Sequence, residues 1–548
     1  MDAKKFKLVG ALGILLAILA YYTLPLFNPR YIPTHDGEYH LVRFMEFSNM
    51  IQAGHWFPKW APTINSGYGL PLFEFHYPFP NYVGTWLHWV NISFVDSVKV
   101  SSAMGYIVAM IGCYFWVKEK DTSFHALIAT IITASVPYWF LNMYVRGSIG
   151  EIWALAWVFW ALVCIKKDWR IGISVTTAVL ILSHNITAMI FLPLLVLYVL
   201  SINKNRMMEI ALGIGVAAYF WLPALGEKSY MQGLNTVSYT EHFPDLSELL
   251  IPSWGTEYSG TYGGNKMSFQ IGILPLLLVM IAMFMMVRQK IKRQQIDRNT
   301  ILVFMIGLGS IYLMTPGSAY IWQVLTPLQL LQYPWRLLMM MIPVSAVLSM
   351  YVIKQMKYTW ASIVLAVFAV LFVIGYIRPV TYEPRNDEHY TSRPNFMDGT
   401  SSMGNSLSTI WTGWKSVRPH AQAELAGGTI LSYETKNYLW KQMEVEATMA
   451  GILKEHTLYF PGWTASVDGK ITEIDYKTDG AIRIPIEVGK HSIAIEYRDT
   501  FIRTIGIWIS IISLVIITLG SIIRTYKKKD MLCHPEPPAG GEGSHKKT

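Results

Sequence analysis

Apolar residues gather along this chain in nearly charge-free runs at 8–27, 99–117, 123–141, 150–165, 171–183, 187–202, 207–224, 268–287, 299–316, 335–353, 359–377 and 503–523. About 20 residues at a rise of about 1.5 Å cross the roughly 30 Å hydrocarbon layer of a bilayer. The pattern therefore predicts an α-helical integral membrane protein with about 12 transmembrane helices. The stretch 171–202 is too long for one crossing, and Ser183-His184-Asn185 is a polar break in its middle. Between 378 and 502 the period changes to two, as in Met443-Glu444-Val445-Glu446-Ala447-Thr448, Ala481-Ile482-Arg483-Ile484 and Ile493-Ala494-Ile495-Glu496-Tyr497. Turn signals at Asp468-Gly469, Asp479-Gly480 and Val488-Gly489-Lys490 separate these runs. They predict a β-sandwich or jelly-roll-like domain inserted before the last span.

The resulting organisation is a membrane domain over 1–377 with a large first outer loop (28–98) and a later outer loop (225–267). A β-rich outer domain (378–502), the last span (503–523) and a cytoplasmic tail (524–548) follow, the tail expected to be disordered where Pro and Gly collect. Composition agrees. Of 548 residues 52% are hydrophobic and 15% charged, against about 25% charged in ordinary soluble domains. That excludes a soluble cytosolic enzyme, a disordered protein and a secreted disulfide scaffold. Cys113 and Cys164 lie in apolar runs and Cys533 in the tail, so no disulfide framework or zinc spacing exists. The first run follows Lys4, Lys5 and Lys7, as in a signal peptide, but Pro25 and Pro29 stand where a cleavage site would be. It reads as a retained anchor.

A net charge of +9 suggests a nucleic-acid partner until its distribution is examined. With the N-terminus inside, the inner segments 1–7, 118–122, 166–170, 203–206, 288–298, 354–358 and 524–548 hold 23 Lys and Arg against 8 Asp and Glu. The rest of the chain holds 22 against 28. The charge thus records membrane orientation, with both termini cytoplasmic, and implies no nucleic acid. Joining 171–202 into one helix would place 288–298 outside and undo this asymmetry.

In the first outer loop, His35-Asp36-Gly37-Glu38 precedes apolar positions at Leu41, Phe44, Met45 and Ile51, spaced as one face of a helix that Gly54 ends. Such a helix should lie along the membrane surface. A second short helix, rich in Trp and Tyr, is predicted at about 80–93. Two readings of Asp36 stand. It is a helix N-cap, worth about 1 kcal/mol, or it is a carboxylate at the membrane surface acting as general base or metal ligand, with His35, Glu38 and His40 in reach.

An acidic His35-Asp36 after the first span, an amphipathic helix and the turn Gly54-His55-Trp56-Phe57-Pro58 together resemble the GT-C superfamily of polytopic glycosyltransferases. The chain is more similar still to the YfhO-like group and to proteins named "membrane protein, 6-pyruvoyl-tetrahydropterin synthase-related", a label that implies no pterin activity. Arg146-Gly147-Ser148-Ile149-Gly150-Glu151, Ser183-His184-Asn185, Tyr333-Pro334-Trp335-Arg336 and Tyr459-Phe460-Pro461-Gly462-Trp463 carry the likeness. It implies a GT-C-like membrane domain and transfer of a sugar from a polyprenyl-phosphate donor to an extracytoplasmic glycan, lipid or protein acceptor. The setting it implies is a prokaryotic plasma membrane, with the functional loops outside.

The resemblance makes Asp36 the catalytic-base or metal-site candidate, with a divalent cation (Mg or Mn) in the second case, and Glu151 a second acidic candidate. As a local pair with Arg146 at a helix entrance, Glu151 would be worth little if exposed. A lipid-phosphate donor needs cationic groups near the headgroups. Arg336, at the outer start of a span, fits that role or that of an interfacial snorkelling arginine. His184, at the outer break, is a candidate substrate ligand or a turn cap. Trp411, Trp414 and Trp463 of the β-rich domain are either sugar-stacking platforms or core. Two rivals remain at this point. One is a lipid or polysaccharide transporter or flippase, the other a non-catalytic membrane protein with a carbohydrate-binding outer domain.

Overall fold

A computed structural model describes residues 3–119, 122–233, 238–260, 265–391, 408–412 and 421–533. Among these, eight helices are long and apolar enough to cross a membrane: Leu8–Phe27, Phe94–Val117, Ile149–Lys166, Asn185–Val216, Ile273–Ile291, Pro334–Gln355, Thr359–Tyr376 and Phe501–Thr525. The number rises to ten if each of two bent pairs is one span: Ser123–Ala134 with Pro137–Arg146 (53°), and Arg298–Leu313 with Pro316–Val324 (96°). The sequence pattern predicts about twelve. The difference lies at Arg170–Ser183, which has only 14 residues, and at Asn185–Val216, which is helical throughout its 32 residues where the sequence shows two runs.

Side-chain contacts fix how the chain runs there. The backbone tightens to a 3-10 turn at Lys204–Arg206, and Arg206 Nη2 donates to Asp168 Oδ2 at 2.6 Å. Beyond the turn Ser174 Oγ donates to the Glu209 carbonyl at 2.8 Å. Residues 168 and 206 therefore lie at one end of this group. The helix Asn185–Asn203 runs back toward that end, and Met207–Val216 leaves it again alongside Arg170–Ser183. Elsewhere the helices touch through small residues. A Cβ on Gly105 would press on Ile152 and Trp153, and one on Gly112 on Phe159 and Trp160, at 3.1–3.2 Å. Phe94–Val117 and Ile149–Lys166 approach closely for that reason.

The segment 28–98, expected to be the first outer loop, forms the helices Gly37–Gln52 and Phe79–Trp89, near the predicted ranges. The helix Gly37–Gln52 does not present a polar face to water. Leu41, Val42, Phe44 and Met45 enter the core of the membrane domain, while Phe47 and Ile51 enter a second core with the β-rich domain. That domain comprises β1 (Ala423–Leu425), β2 (Gly428–Lys436), β3 (Trp440–Ala447), β4 (Gly451–Leu458), β5 (Trp463–Val467), β6 (Lys470–Thr472), β7 (Ala481–Ile486) and β8 (Gly489–Tyr497). They form a three-stranded sheet, β1-β4-β7, and a five-stranded sheet, β2-β3-β8-β5-β6, antiparallel at every pairing.

Met443, Val445, Leu453, Ile484, Ile493 and Ile495 fill this second core with Trp60, Ile64, Leu70 and Phe73 of the first outer loop. The Trp60 and Trp463 rings meet edge to face at 5.5 Å, and Leu458 N donates to the Tyr68 carbonyl at 3.0 Å. Aromatic pairs of this kind add about 1 kcal/mol to the area they bury. The β-rich domain is thus docked on the first outer loop and shares its core. Trp463, 3% exposed, belongs to that core and offers no stacking face. Trp411 is half-buried among Tyr230, Tyr459 and Tyr476. Trp414 and the tail from 534 onward lie outside the described residues. The last helix, Phe501–Cys533, runs past the predicted end of the span.

Candidate functional site

The segment carrying Asp36 is held by backbone hydrogen bonds. His35 N donates to the Val145 carbonyl at 2.9 Å and Asp36 N to the Arg146 carbonyl at 2.8 Å. Gly147 turns left-handed there (φ +69°), and a Cβ on it would collide with Thr34 Oγ1. Only glycine permits so close a crossing. The preceding segment, Leu141–Arg146, is a π-helix, a rare form that widens the turn and often occurs at functional sites. It delivers Asn142 and Arg146 to the same point.

Asp36 occupies the N-cap position of the helix Gly37–Gln52 but makes no side-chain capping hydrogen bond. Its half-buried carboxylate is free of the role that the cap reading gives it. The Arg43 and Arg146 guanidiniums and the Tyr39, Tyr77 and Tyr258 hydroxyls lie within its electrostatic reach.

Arg146 and Glu151 form an ion pair at 3.1 Å with side chains 5% and 0% exposed, so the expectation of a weak exposed pair is corrected. Asn142 stands between them, donating to Glu151 Oε1 at 3.0 Å and accepting from Arg146 Nη1 at 2.5 Å. Tyr138 accepts from Arg146 at 3.0 Å, and the Trp335 ring lies 4.8 Å from the guanidinium. A buried pair this well surrounded costs several kcal/mol to break by removing one partner.

Arg336 sits in the 3-10 segment Pro334–Met340. Nη1 donates to the Leu331 carbonyl at 2.8 Å and to Gln332 Oε1 at 2.9 Å, and the Tyr333 ring lies 4.7 Å away. Its Nε is buried without a hydrogen-bond partner among the described residues. Arg336 is therefore not a snorkelling side chain. His184 caps the helix that begins at Asn185, its Nδ1 accepting from Thr187 N at 3.2 Å. The turn-cap reading is right for that nitrogen. The ring also meets Tyr77 edge to face at 5.1 Å, so His184 belongs to the cluster too.

His40 lies one helical turn after Asp36 and is buried, with His76 at 5.9 Å and Tyr77 at 6.5 Å between ring centres. Burial drives the His40 and His76 imidazoles well below their ordinary pKa, and nearby Arg43 adds to the effect. Both rings are neutral at pH 7. His40 Nδ1, His76 Nε2 and Arg43 Nε are buried without hydrogen-bond partners among the described residues. His35 also titrates below its ordinary value, through burial. Its Nε2 lies 2.8 Å from the Thr256 carbonyl, and Tyr258 of the later outer loop stacks on the ring at 4.3 Å. That loop therefore covers the Asp36 end of the site.

Seven of the eight residues singled out in the sequence thus meet: His35, Asp36, His40, Arg146, Glu151, His184 and Arg336. Glu38 turns away to Arg385 at 3.3 Å. Sequence reasoning missed Arg43, His76, Tyr77 and Asn142. A signal for Arg43 existed, since Asp36, His40 and Arg43 are spaced four and three apart on one helix face.

A divalent cation does not fit these residues. Among the described residues no three His, Cys, Asp or Glu side chains converge as ligands, and Asp36 is flanked by two arginines that repel a cation. The metal reading of Asp36 is set aside. With the histidines neutral, Arg43, Arg146 and Arg336 face Asp36 and Glu151, so positive charge is in excess.

No family model matches the chain. Over 317 residues it is 24% identical to an uncharacterized protein of Lactococcus lactis subsp. cremoris (strain MG1363). The match covers 53% of this chain and 51% of that one, so the chain spans about half the length of the relative it matches.

Proposed function

We propose that this is a GT-C-like membrane glycosyltransferase, working at the outer face of a prokaryotic plasma membrane on a polyprenyl-phosphate-linked sugar. One observation carries the reading: three arginines gather around two carboxylates in a largely buried site, with the Nε of both Arg43 and Arg336 unpartnered. Buried charge is costly unless it is neutralised. An anionic ligand such as a lipid phosphate supplies the missing charge and accepts those hydrogen bonds. Asp36, half-buried and without a cap bond, is placed to take the proton of an acceptor hydroxyl. The hydroxyl oxygen bonds to the anomeric carbon, the bond from that carbon to phosphate breaks, and its electron pair leaves with the phosphate. Arg146 and Arg336 stabilise the charge that develops there.

A topology of twelve spans with both termini inside belongs to the same proposal. It counts each bent pair as one span, takes Arg170–Ser183 as a short span and divides Asn185–Val216 at Lys204–Arg206. The reversal at Asp168 and Arg206 supports it, as does the inner excess of Lys and Arg.

The deciding experiment incubates the purified chain with radiolabelled polyprenyl-phosphate sugars and lipid or glycan acceptors, wild type beside Asp36→Asn. Transfer by the wild type, reduced roughly 100-fold or more in Asp36→Asn with unchanged thermal stability, is the expected result. Equal transfer in both removes Asp36 from the mechanism. No transfer from any donor rejects the proposal.

A further inference from the structure

One end of the β-rich domain is tied to a span. β8 stops at Tyr497, and the last helix begins at Phe501. β3 pairs antiparallel with β8, Trp440 opposite Glu496, so the turn between β2 and β3 hangs at that same end. Asn437 and Tyr438 form its exposed tip, Tyr438 in the left-handed region (φ +64°) that bulky residues rarely adopt. His55 Nε2 lies 2.8 Å from the Asn437 carbonyl, which sets the tip beside the Trp56-Phe57 turn.

The last helix gives the level of that turn. Phe57 meets Tyr219 edge to face at 5.2 Å, and Tyr219 N donates to Ser510 Oγ at 2.9 Å. Ser510 is nine positions past Phe501, about 13 Å along a helix. Arg503, in the first turn of that helix, lies 3.5 Å from Glu74, and Glu74 lies 3.4 Å from Lys59 Nζ, two residues after Phe57. Phe57 is therefore level with the first turns of the last span.

The same level is rich in open aromatic surface. Trp56 meets Trp89 at 6.4 Å, and the Tyr82 hydroxyl donates to the Trp56 carbonyl at 2.5 Å. Among the described residues Trp56, Phe57, Trp86 and Trp89 are 45–62% exposed, and Trp508 of the last span is 59% exposed. Exposed Trp and Phe beside a spanning helix mark the level of lipid headgroups. The patch is continuous with the flank of a span, where lipid is the neighbour. At the tip, Tyr438 offers a ring with a polar end, and Lys436 Nζ lies 5.2 Å from the Trp440 ring. Both side-chain types settle where apolar surface meets charged headgroups.

We infer that this end of the β-rich domain docks on the bilayer, with Tyr438 and Lys436 among the lipid headgroups and Trp56, Phe57, Trp86 and Trp89 set into the same layer. The inference rests on the last helix crossing the membrane and does not depend on the transferase reading.

Spin labels on the full chain in phosphatidylcholine liposomes test it. Cys533→Ser leaves Cys113 and Cys164, both buried. One nitroxide is then placed through Trp56→Cys, Tyr438→Cys or, as reference, Lys470→Cys. Lys470 is exposed and pairs with Val467, itself opposite Ile493, toward the other end of the sheet. Nickel chelated to lipid headgroups should relax the labels at 56 and 438 several-fold more than the label at 470. A soluble nickel chelate should favour 470. All three positions are exposed, and Trp89→Cys repeats the measurement if Trp56→Cys fails to fold. Relaxation at 438 no greater than at 470 with lipid-bound nickel overturns the inference. So does a label at 438 that neither form of nickel reaches, which marks a protein partner in place of lipid.

Discussion

The segment 28–98 carries buried charge at two places that differ in kind. Around Arg146 the arginines outnumber the carboxylates, and polar atoms of Arg43, Arg336, His40 and His76 have no partner among the described residues. Around Arg503 the charges balance. Its Nη2 and Nε donate to Glu227 at 2.7 and 3.1 Å, and Glu227 also accepts from Thr500 Oγ1 at 2.5 Å. Phe460 and Tyr497 of the β-rich domain flank the guanidinium at 5.3 and 5.0 Å. This second cluster therefore joins the last span, the β-rich domain and the segments 28–98 and 225–267. Burial alone does not distinguish the two. Charge balance does, since a structural cluster neutralises its own charge and an anion-binding site does not.

The largest expected effect follows from that balance. Arg503→Met leaves Glu227 buried without its cation and Glu74 with Lys59 alone, and should cost about 3–5 kcal/mol of stability. Thermal unfolding of the purified chain measures it. An unchanged Tm would mean that the cluster around Arg503 is not structural.

Glu46 sharpens the comparison as a buried carboxyl with no cation, its two oxygens accepting from Thr63 N and Thr63 Oγ1. Burial raises its pKa from the usual 4.5 to about 7. The folded chain thus holds a proton that the unfolded chain releases, and stability falls as pH rises from about 4.5 to about 7 and is level above. The shift corresponds to about 3 kcal/mol at most. Glu46→Gln should flatten this slope in a series of melts across pH, and an equal slope in both proteins would refute the assignment.

Arg336 has no carboxylate partner to strand. Arg336→Gln should leave Tm nearly unchanged while lowering kcat/KM for a polyprenyl-phosphate donor roughly 10- to 100-fold. A loss of stability like that of Arg503→Met would erase the distinction between the two clusters.

The parts legible in the sequence were those that depend on local pattern. Apolar runs of membrane length, the break at Ser183-His184-Asn185 and the alternation in β3, β7 and β8 each follow from a period in one segment. Candidate site residues were legible where a polar group interrupts such a pattern, as Arg336 and His184 do. Arg43 was passed over despite its spacing from Asp36 and His40, because a cation on the polar side of an amphipathic helix looks solvated until its contact with His76 is seen. The docking of the β-rich domain was not legible either. Trp60 and Trp463 are about 400 positions apart, and no pattern within either segment names its partner. The Glu38–Arg385 pair was hidden for the same reason, since Arg385 lies far along the chain.

The smallest expected effect lies at the exposed extreme, in the hairpin after β5. Asp468 accepts from Ser492 N at 2.8 Å and meets His491 Nδ1 at 2.7 Å. That contact raises the His491 pKa and lowers that of Asp468. A raised histidine pKa stabilises the fold while the ring is protonated, and the contribution is lost as pH rises through the folded-state value. The lowered Asp468 pKa sets the acid limit, where the contribution is lost as the carboxylate protonates. His491→Ala should therefore lower Tm slightly near pH 6 and not at all near pH 9, because the imidazole is neutral there. Solvent screens this pair as it cannot screen Arg146 or Arg503, so the shift should also fade in 1 M salt. A large, salt-independent loss in His491→Ala would show that an exposed pair can hold this fold as a buried one does, against the contrast drawn between screened and buried charge.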